Sequence, residues 1–385
     1  MKIVFLSNFF SHHQKPFSDA MDQLTGGEYL FLETEQMPEE RKKLGYQLQS
    51  RPSYLWSLDQ IGEEAAETIV LDADVLIIGS APDRFLQGRL RKGRLCFRYH
   101  ERPLKQGVEP LLFFPRLVKW HKRNPMKQPL YMLCASAYTA SDYARFGLFR
   151  NKCYKWGYFP PFRQYGSIGE LLEKKEPNRI LWCGRFLELK HPEDALSALR
   201  ILKDDGFEFT LDFIGAGPME EALHNRCEAL DLTDRVRFLG LMSPDEVRKN
   251  MERSSIFLFT SDRREGWGAV LNEAMNSACA VIAARETGSA PYLIKHKSNG
   301  LLYSCGDIDA LSQSIRYLFQ DHNLQLNLGA EAYRTIAEEW NAEIAAARFL
   351  QLSETILADG SSPDLFSSGP CSIDDTNISS YAAPR

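Results

Sequence analysis

No stretch of this sequence approaches the ~18 consecutive apolar residues that a membrane-spanning helix requires, which argues against an integral helical membrane protein. The opening MKIVFLSNFFSHHQ turns polar too early for a secretory signal and reads as a first strand. The eight cysteines (96, 134, 153, 183, 227, 279, 305 and 371) form neither CxxC pairs nor a zinc spacing. Several lie inside apolar runs, as expected of reduced core thiols in a cytoplasmic protein. Also missing is GxGxxG after the first strand. SNFFSHHQ stands there instead, which argues against a nicotinamide-dependent oxidoreductase on doubled dinucleotide folds. What remains is ordinary for a globular chain: 385 residues, 44% hydrophobic, 25% charged and net charge −5. The length suggests two domains.

That small net charge hides an asymmetry. Between Arg84 and Lys127 stand thirteen Lys/Arg against Glu101 and Glu109, about +11, so the remainder carries about −16. Such a block predicts an anionic partner.

Short apolar runs alternate with amphipathic segments. KIVFLS (2–7), YLFLET (29–34), DVLIIG (74–79), LCFRYH (95–100) and LYMLCAS (130–136) read as strands. After residue 178 a second series begins: RILWCGR (179–185), FTLDFIG (209–215), VRFLG (236–240), IFLFTS (256–261) and AVIAA (280–284). Two such series predict two doubly wound α/β domains, with the linker inside 157–177. The expected division is 1–160, 161–335, a closing helix over 336–357, and a Ser/Pro/Gly-rich tail, 358–385, expected to be disordered.

In open parallel sheets, ligands bind at the carboxyl ends of the strands. That rule sorts the candidates. Asp72 and Asp74 of one DxD triplet precede their strand, and Asp307 of the other reads as a helix cap, so neither predicts a metal site. Arg185 and Lys190 follow RILWCGR, where fixed cations can neutralise a diphosphate without a metal. Gly215 and Gly217 follow the next strand and Leu239 ends the third. The fourth leads into SDRREGWGAVLNEAMN. There Glu265 stands at the strand rim, and Gly266, Trp267, Gly268, Ala269 and Val270 lead into a helix whose first amides can meet an anion. Glu273, about one turn in, can accept two hydrogen bonds from a diol. Diol, diphosphate and sugar are the parts of a sugar nucleotide.

These segments, in order, resemble the retaining family-4 glycosyltransferases of GT-B fold, in which two Rossmann-like domains face a cleft. The resemblance covers 178–320 and rests on CGRFLELKH, DFIGAGPMEEAL, RVRFLGLMSPDEV, REGWGAVLNEAMNSACAVIA and KSNGLLY. It implies that Arg185 and Lys190 hold the diphosphate, Glu273 the ribose and Glu265 the donor sugar. It also implies that the 267–270 amides touch the distal phosphate or the sugar. Tyr292 departs from the family pattern, replacing the usual acid in GSAPYLI. The first domain matches far less. His12 and His13 follow the first strand where acceptor and phosphate would meet, and His100 is the leading match for the histidine that many members carry near the reaction centre.

The implied reaction moves a sugar, with retention, from a nucleotide diphospho-sugar, with UDP preferred, to a glycan or lipid-linked glycan, without metal or cofactor. A non-catalytic sugar-nucleotide-binding subunit and a sugar-nucleotide epimerase remain as alternatives. Finally, PLLFFPRLVKWHKRNPMK (110–127) joins apolar bulk to cations, so contact with an anionic membrane surface from the cytoplasmic side is expected.

Overall fold

The computed structural model describes residues 1–39, 42, 50–107 and 110–374. Glu109 of the basic segment and residues 375–385 of the tail lie outside them. The chain forms two compact units, Met1–Pro161 with the chain from Trp340 onward, and Phe162–Glu339.

In the first unit a seven-stranded sheet is built from β1 (Ile3–Ser7), β2 (Tyr29–Glu33), β3 (Leu55–Ser57), β4 (Val75–Ile78), β5 (Leu95–His100), β6 (Leu130–Cys134) and β7 (Cys153–Lys155). The order is β3-β2-β1-β4-β5-β6-β7. Every pairing is parallel, as with Ile3 opposite Tyr29 and Val75. β1 and β4 are apolar almost throughout because helices cover both faces of the sheet. The second unit holds β8 (Glu176–Cys183), β9 (Thr210–Ile214), β10 (Val236–Phe238), β11 (Ser254–Phe259), β12 (Ala280–Ala284) and β13 (Leu301–Tyr303). Their order is β10-β9-β8-β11-β12-β13, again all parallel.

Part of the basic block is structural. Arg89 is fully buried and donates to the carbonyls of Val70, Ala73, Asp74 and Leu95 at 2.6–3.0 Å. It thereby satisfies the end of one helix and two strand edges. Arg98 is buried against Asp83 and Asn124.

The end of the chain departs from expectation. The helix Ala342–Asp359 places Phe349 against Phe17, Phe97 and Trp156 of the first unit. Beyond it, residues expected to be disordered pack against β7. Cys371 and Ser372 exchange backbone hydrogen bonds of 2.8 Å with Lys155, and the Asp374 amide donates to the Cys153 carbonyl at 3.0 Å. Composition missed this because a strand edge takes up a polar segment through its backbone, whatever the side chains. Asp307 caps its helix as expected, accepting from the Ala310 amide at 2.9 Å.

Candidate functional site

The second sheet reverses its winding between β8 and β11. At such a reversal, loops leaving the carboxyl ends of the two neighbouring strands generally diverge and open a crevice for a ligand. Three hydrogen bonds fix them. The Thr260 hydroxyl, just past β11, donates to the Lys190 carbonyl at 2.6 Å and accepts from Trp182 Nε1 at 2.9 Å. The Asp262 amide donates to the Leu189 carbonyl at 2.9 Å.

On this frame the Lys190 ammonium pairs with the Glu265 carboxylate, and each side chain is only 15% exposed. The two expected contacts of a donor thus hold each other. Arg185 is exposed and, among the described residues, has no ion-pair partner. Glu273 stands half-buried in the helix Val270–Asn276. Burial raises its pKa, with Arg248 and Arg163 opposing. Burial likewise pushes the Cys183 thiol, at the end of β8, up to about 12; Glu273 adds to the rise and Lys190 opposes it. Cys183 therefore lies within electrostatic reach of both, so Lys190, Glu265 and Glu273 share one neighbourhood.

The glycine-rich approach serves this packing. Gly268 has φ +84°, and a Cβ there would lie 2.2 Å from the Phe259 ring. Trp267 is buried, with Nε1 donating to Asn272 Oδ1 at 2.9 Å, so its indole is held in the packing of this turn. Ala269 and Val270 sit at the helix entrance, which falls one or two residues later than the sequence suggests. The amides of Leu271 and Glu273 donate to the carbonyls of Gly268 and Ala269. Gly266 is buried beside them.

Gly215, Gly217 and Leu239 have a packing role of their own. A Cβ on Gly215 would fall 1.9 Å from the Gly184 carbonyl oxygen, and one on Gly217 2.5 Å from that of Phe186. The turn after β9 lies directly on the loop after β8, and the Phe186 amide donates to the Ala216 carbonyl at 3.0 Å. The Leu239 amide donates to the Phe213 carbonyl at 2.8 Å, and the Gly215 amide to the Gly240 carbonyl at 2.9 Å.

Sequence reasoning missed the residues that clamp these loops. His191 Nε2 lies 3.2 Å from Asp262 Oδ2, and its Nδ1 lies 3.3 Å from Glu193 Oε1. Asp262 also accepts from the amide and Nε of Arg264 at 2.7 and 2.8 Å. Burial works to raise the Asp262 pKa, but these bonds hold it below the usual carboxylate range. Below Glu273, Asn276 accepts from the Arg163 amide and from Arg248, and donates back to the Arg163 carbonyl at 3.0 Å. Among the described residues, His191, Glu193 and Asp194 alone form a group of three able to surround an ion, with ligand atoms within 4.8 Å of one another. All lie at or beside the first turn of the helix Pro192–Asp204, whose dipole favours the two acids.

In the first unit, His13 and His100 approach one group of side chains. The His12 and His13 rings are 3.8 Å apart, and His13 stacks on Tyr158 at 5.9 Å. The Tyr158 hydroxyl donates to Glu101 Oε1, and His100 Nδ1 lies beside the Glu101 carbonyl. Desolvation lowers the His100 pKa, with that carbonyl opposing.

Residues 167–335 match the model of the family described as glycosyl transferases group 1. The amylovoran biosynthesis glycosyltransferase AmsK of Erwinia amylovora is 30% identical over 186 residues, 47% of this chain and 46% of AmsK. The N-acetyl-alpha-D-glucosaminyl L-malate synthase of Bacillus anthracis is 26% identical over 180 residues, 47% of this chain and 46% of that enzyme. The chain spans about half the length of these curated relatives. Its fold matches Anabaena HepE, solved in complex with UDP, with a TM-score of 0.66 at 16% identity over 93% of this chain and 100% of HepE. It likewise matches a glycosyltransferase from Rickettsia africae, with a TM-score of 0.66 at 13% identity over 93% and 99%. Residues 167–335 are therefore similar to the glycosyl transferases group 1 family, in a chain with the two-sheet GT-B fold.

Proposed function

We propose that the protein is a retaining glycosyltransferase that moves a hexose from a nucleotide diphospho-sugar to a hydroxyl of a glycan or lipid-linked glycan, in polysaccharide or glycoconjugate biosynthesis. The observation that carries this reading is the crevice between the loops after β8 and β11. There Lys190 pairs with Glu265, the half-buried Glu273 stands within electrostatic reach of Cys183 as Lys190 does, and Arg185 is exposed on the loop after β8. UDP is the favoured carrier, because the fold match to HepE includes complexes with UDP and UDP-glucose.

In this reading the bond from the anomeric carbon to the diphosphate oxygen breaks, and one to the acceptor oxygen forms on the same face. The acceptor proton passes to the departing diphosphate. Arg185 and Lys190 neutralise the charge that develops, without a metal ion. Lys190 leaves Glu265 for the phosphate, which frees that carboxylate for sugar hydroxyls. Glu273 accepts from the ribose diol. His100 and His13 act from the first unit, on the acceptor side and on the donor side respectively. The site of action is the cytoplasmic face of a membrane.

The test is a thermal-shift series against nucleoside diphosphates and their sugars. A ligand at a hundred times its Kd adds about 2.7 kcal/mol of stability, an easily read rise in Tm. UDP and one UDP-sugar are expected to raise it. Indifference to every nucleotide would remove the reading.

A further inference from the structure

In the described residues, nine large hydrophobic side chains are exposed, and four lie within eight positions: Leu111 (91% exposed), Leu112, Phe114 (72%) and Val118 (66%). They ride on a short 3-10 turn and the helix Phe113–Arg123. Pro115 does not break this helix. It falls in the first turn, where a missing amide hydrogen leaves no bond unmade.

The helix is apolar on two sides. Phe113, Leu117 and Trp120 turn inward and pack on the core of the first unit, Phe113 stacking on Phe146 at 4.9 Å. His121 Nε2 lies 2.7 Å from the Phe146 carbonyl and fixes the helix in rotation. Phe114 and Val118, four apart, then line up on the side away from that core. Core packing therefore accounts for only half of the apolar content of this segment.

The cations divide in the same way. Arg84, Arg98, Arg102, Lys105 and Arg123 are each paired with a carboxylate, and Arg89 is spent on carbonyls. Arg116, Lys119, Lys122 and Lys127 have no carboxylate partner among the described residues; Lys122, four positions past Val118, continues the row of Phe114 and Val118, and Lys119 is exposed beside it. Apolar side chains beside unneutralised cations complement a surface with an apolar interior and anionic groups above it. A protein partner would need both an apolar patch and matched acids. A lipid headgroup layer supplies both everywhere. Among the described residues no helix is long and apolar enough to cross a membrane, so such contact would be lateral.

We propose that residues 111–122 form a monotopic docking surface for an anionic lipid layer, with Leu111, Leu112, Phe114 and Val118 inserted and Lys119 and Lys122 at headgroup level. The proposal sharpens the acceptor-side part of the function above, but its test does not depend on that function.

Full-length protein is mixed at low salt with vesicles of phosphatidylcholine alone or with phosphatidylglycerol, and bound protein is separated by flotation. Binding to anionic vesicles is expected to exceed that to neutral ones at least tenfold and to fall as salt rises. The Phe114→Ser/Val118→Ser variant should lose at least tenfold on anionic vesicles. Lys119→Glu/Lys122→Glu should lose a similar factor, roughly fivefold per cation. Both alter exposed side chains, and unchanged melting confirms the fold. Equal failure on both vesicle types at low salt overturns the proposal, as do variants that bind like the parent. Self-association abolished by Phe114→Ser/Val118→Ser, without vesicle binding, overturns it in favour of a second copy of the chain. UDP binding measured without vesicles tests the donor reading separately.

Discussion

The two units carry their candidate residues in opposite ways. In the second unit the site is charged, and its members pair across two loops: Lys190 with Glu265, and His191 with Asp262. In the first it is aromatic, assembled from His13, Tyr158, Tyr99 and the neighbours of Glu101. Loops bearing ions and glycine turns suit a phosphate, whose charge must be met by groups fixed beforehand. Rings with a few polar tips suit a group recognised by shape. The family match follows this division, since 167–335 lies wholly within the second unit. If the contrast is functional, charge substitutions in the second unit should abolish donor chemistry, and substitution of His100 in the first should leave donor binding intact.

The largest effect is expected at Lys190. Lys190→Ala removes a cation from the departing diphosphate and releases Glu265 into the same crevice as an unpaired anion. Transfer should fall by about 100-fold or more, the scale on which loss of one transition-state donor is felt. Steady-state transfer from a UDP-sugar measures it. A rate within threefold of the parent would move the diphosphate elsewhere.

Glu273 should come next. Glu273→Ala is expected to weaken UDP binding by about 1–3 kcal/mol, the worth of a lost charge-assisted pair of hydrogen bonds. The carboxylate is the binding form, and burial raises its pKa. UDP affinity should therefore decline, as pH falls, earlier than an ordinary glutamate would cause. The sign for stability is opposite. A carboxyl raised in the folded state costs stability above that pKa and regains it below, so Glu273→Gln should melt no lower than the parent at neutral pH. Calorimetry across pH and a melting curve check both. A pH dependence of UDP affinity in Glu273→Gln identical to the parent's would detach Glu273 from the ribose.

A smaller effect is expected across the molecule. His100→Ala should lower transfer at least tenfold with UDP binding nearly unchanged, because the two residues belong to different units. Equal losses in both would erase the division between units. Full activity would shift attention to His12 and His13.

Legibility followed the same division. Parallel α/β architecture could be read from the two series of apolar runs, but β3, β7 and β13, three residues each, are too short to show periodicity. Arg185, Lys190, Glu265 and Glu273 were legible because charge and glycine stand out at strand ends. The pairing of Lys190 with Glu265 was not, since 75 positions separate them and only the switch in strand order joins them. His191 and Asn276 gave no signal, because a lone polar residue inside a helical pattern looks like any solvated position. Gly215 and Gly217 stood out for one reason and have another: the close approach of two turns demands them whether or not a ligand does. The helix Phe113–Arg123 was visible as apolar and basic, but which apolar residues face outward depends on Phe146, 33 positions beyond Phe113.

The smallest effect expected is that of chelation. If Arg185 and Lys190 supply the positive charge, treatment with EDTA should change the transfer rate by less than about twofold. A divalent ion would otherwise supply the same neutralisation by bridging phosphate oxygens and protein carboxylates. The carboxylates nearest Lys190 are engaged differently. Glu265 is bound by Lys190 itself, and Asp262 by Arg264 and His191. An ion there would have to displace a cation already in place. His191, Glu193 and Asp194 are the group to examine if the expectation fails, because burial raises the Asp194 pKa and the Glu193 and Asp194 carboxylates each keep one buried oxygen without a hydrogen bond. Loss of turnover in EDTA, restored by manganese in the parent but not in Asp194→Asn, would place an ion beside the diphosphate. The charged half of the molecule would then owe its chemistry to metal-binding acids as well as to its cations.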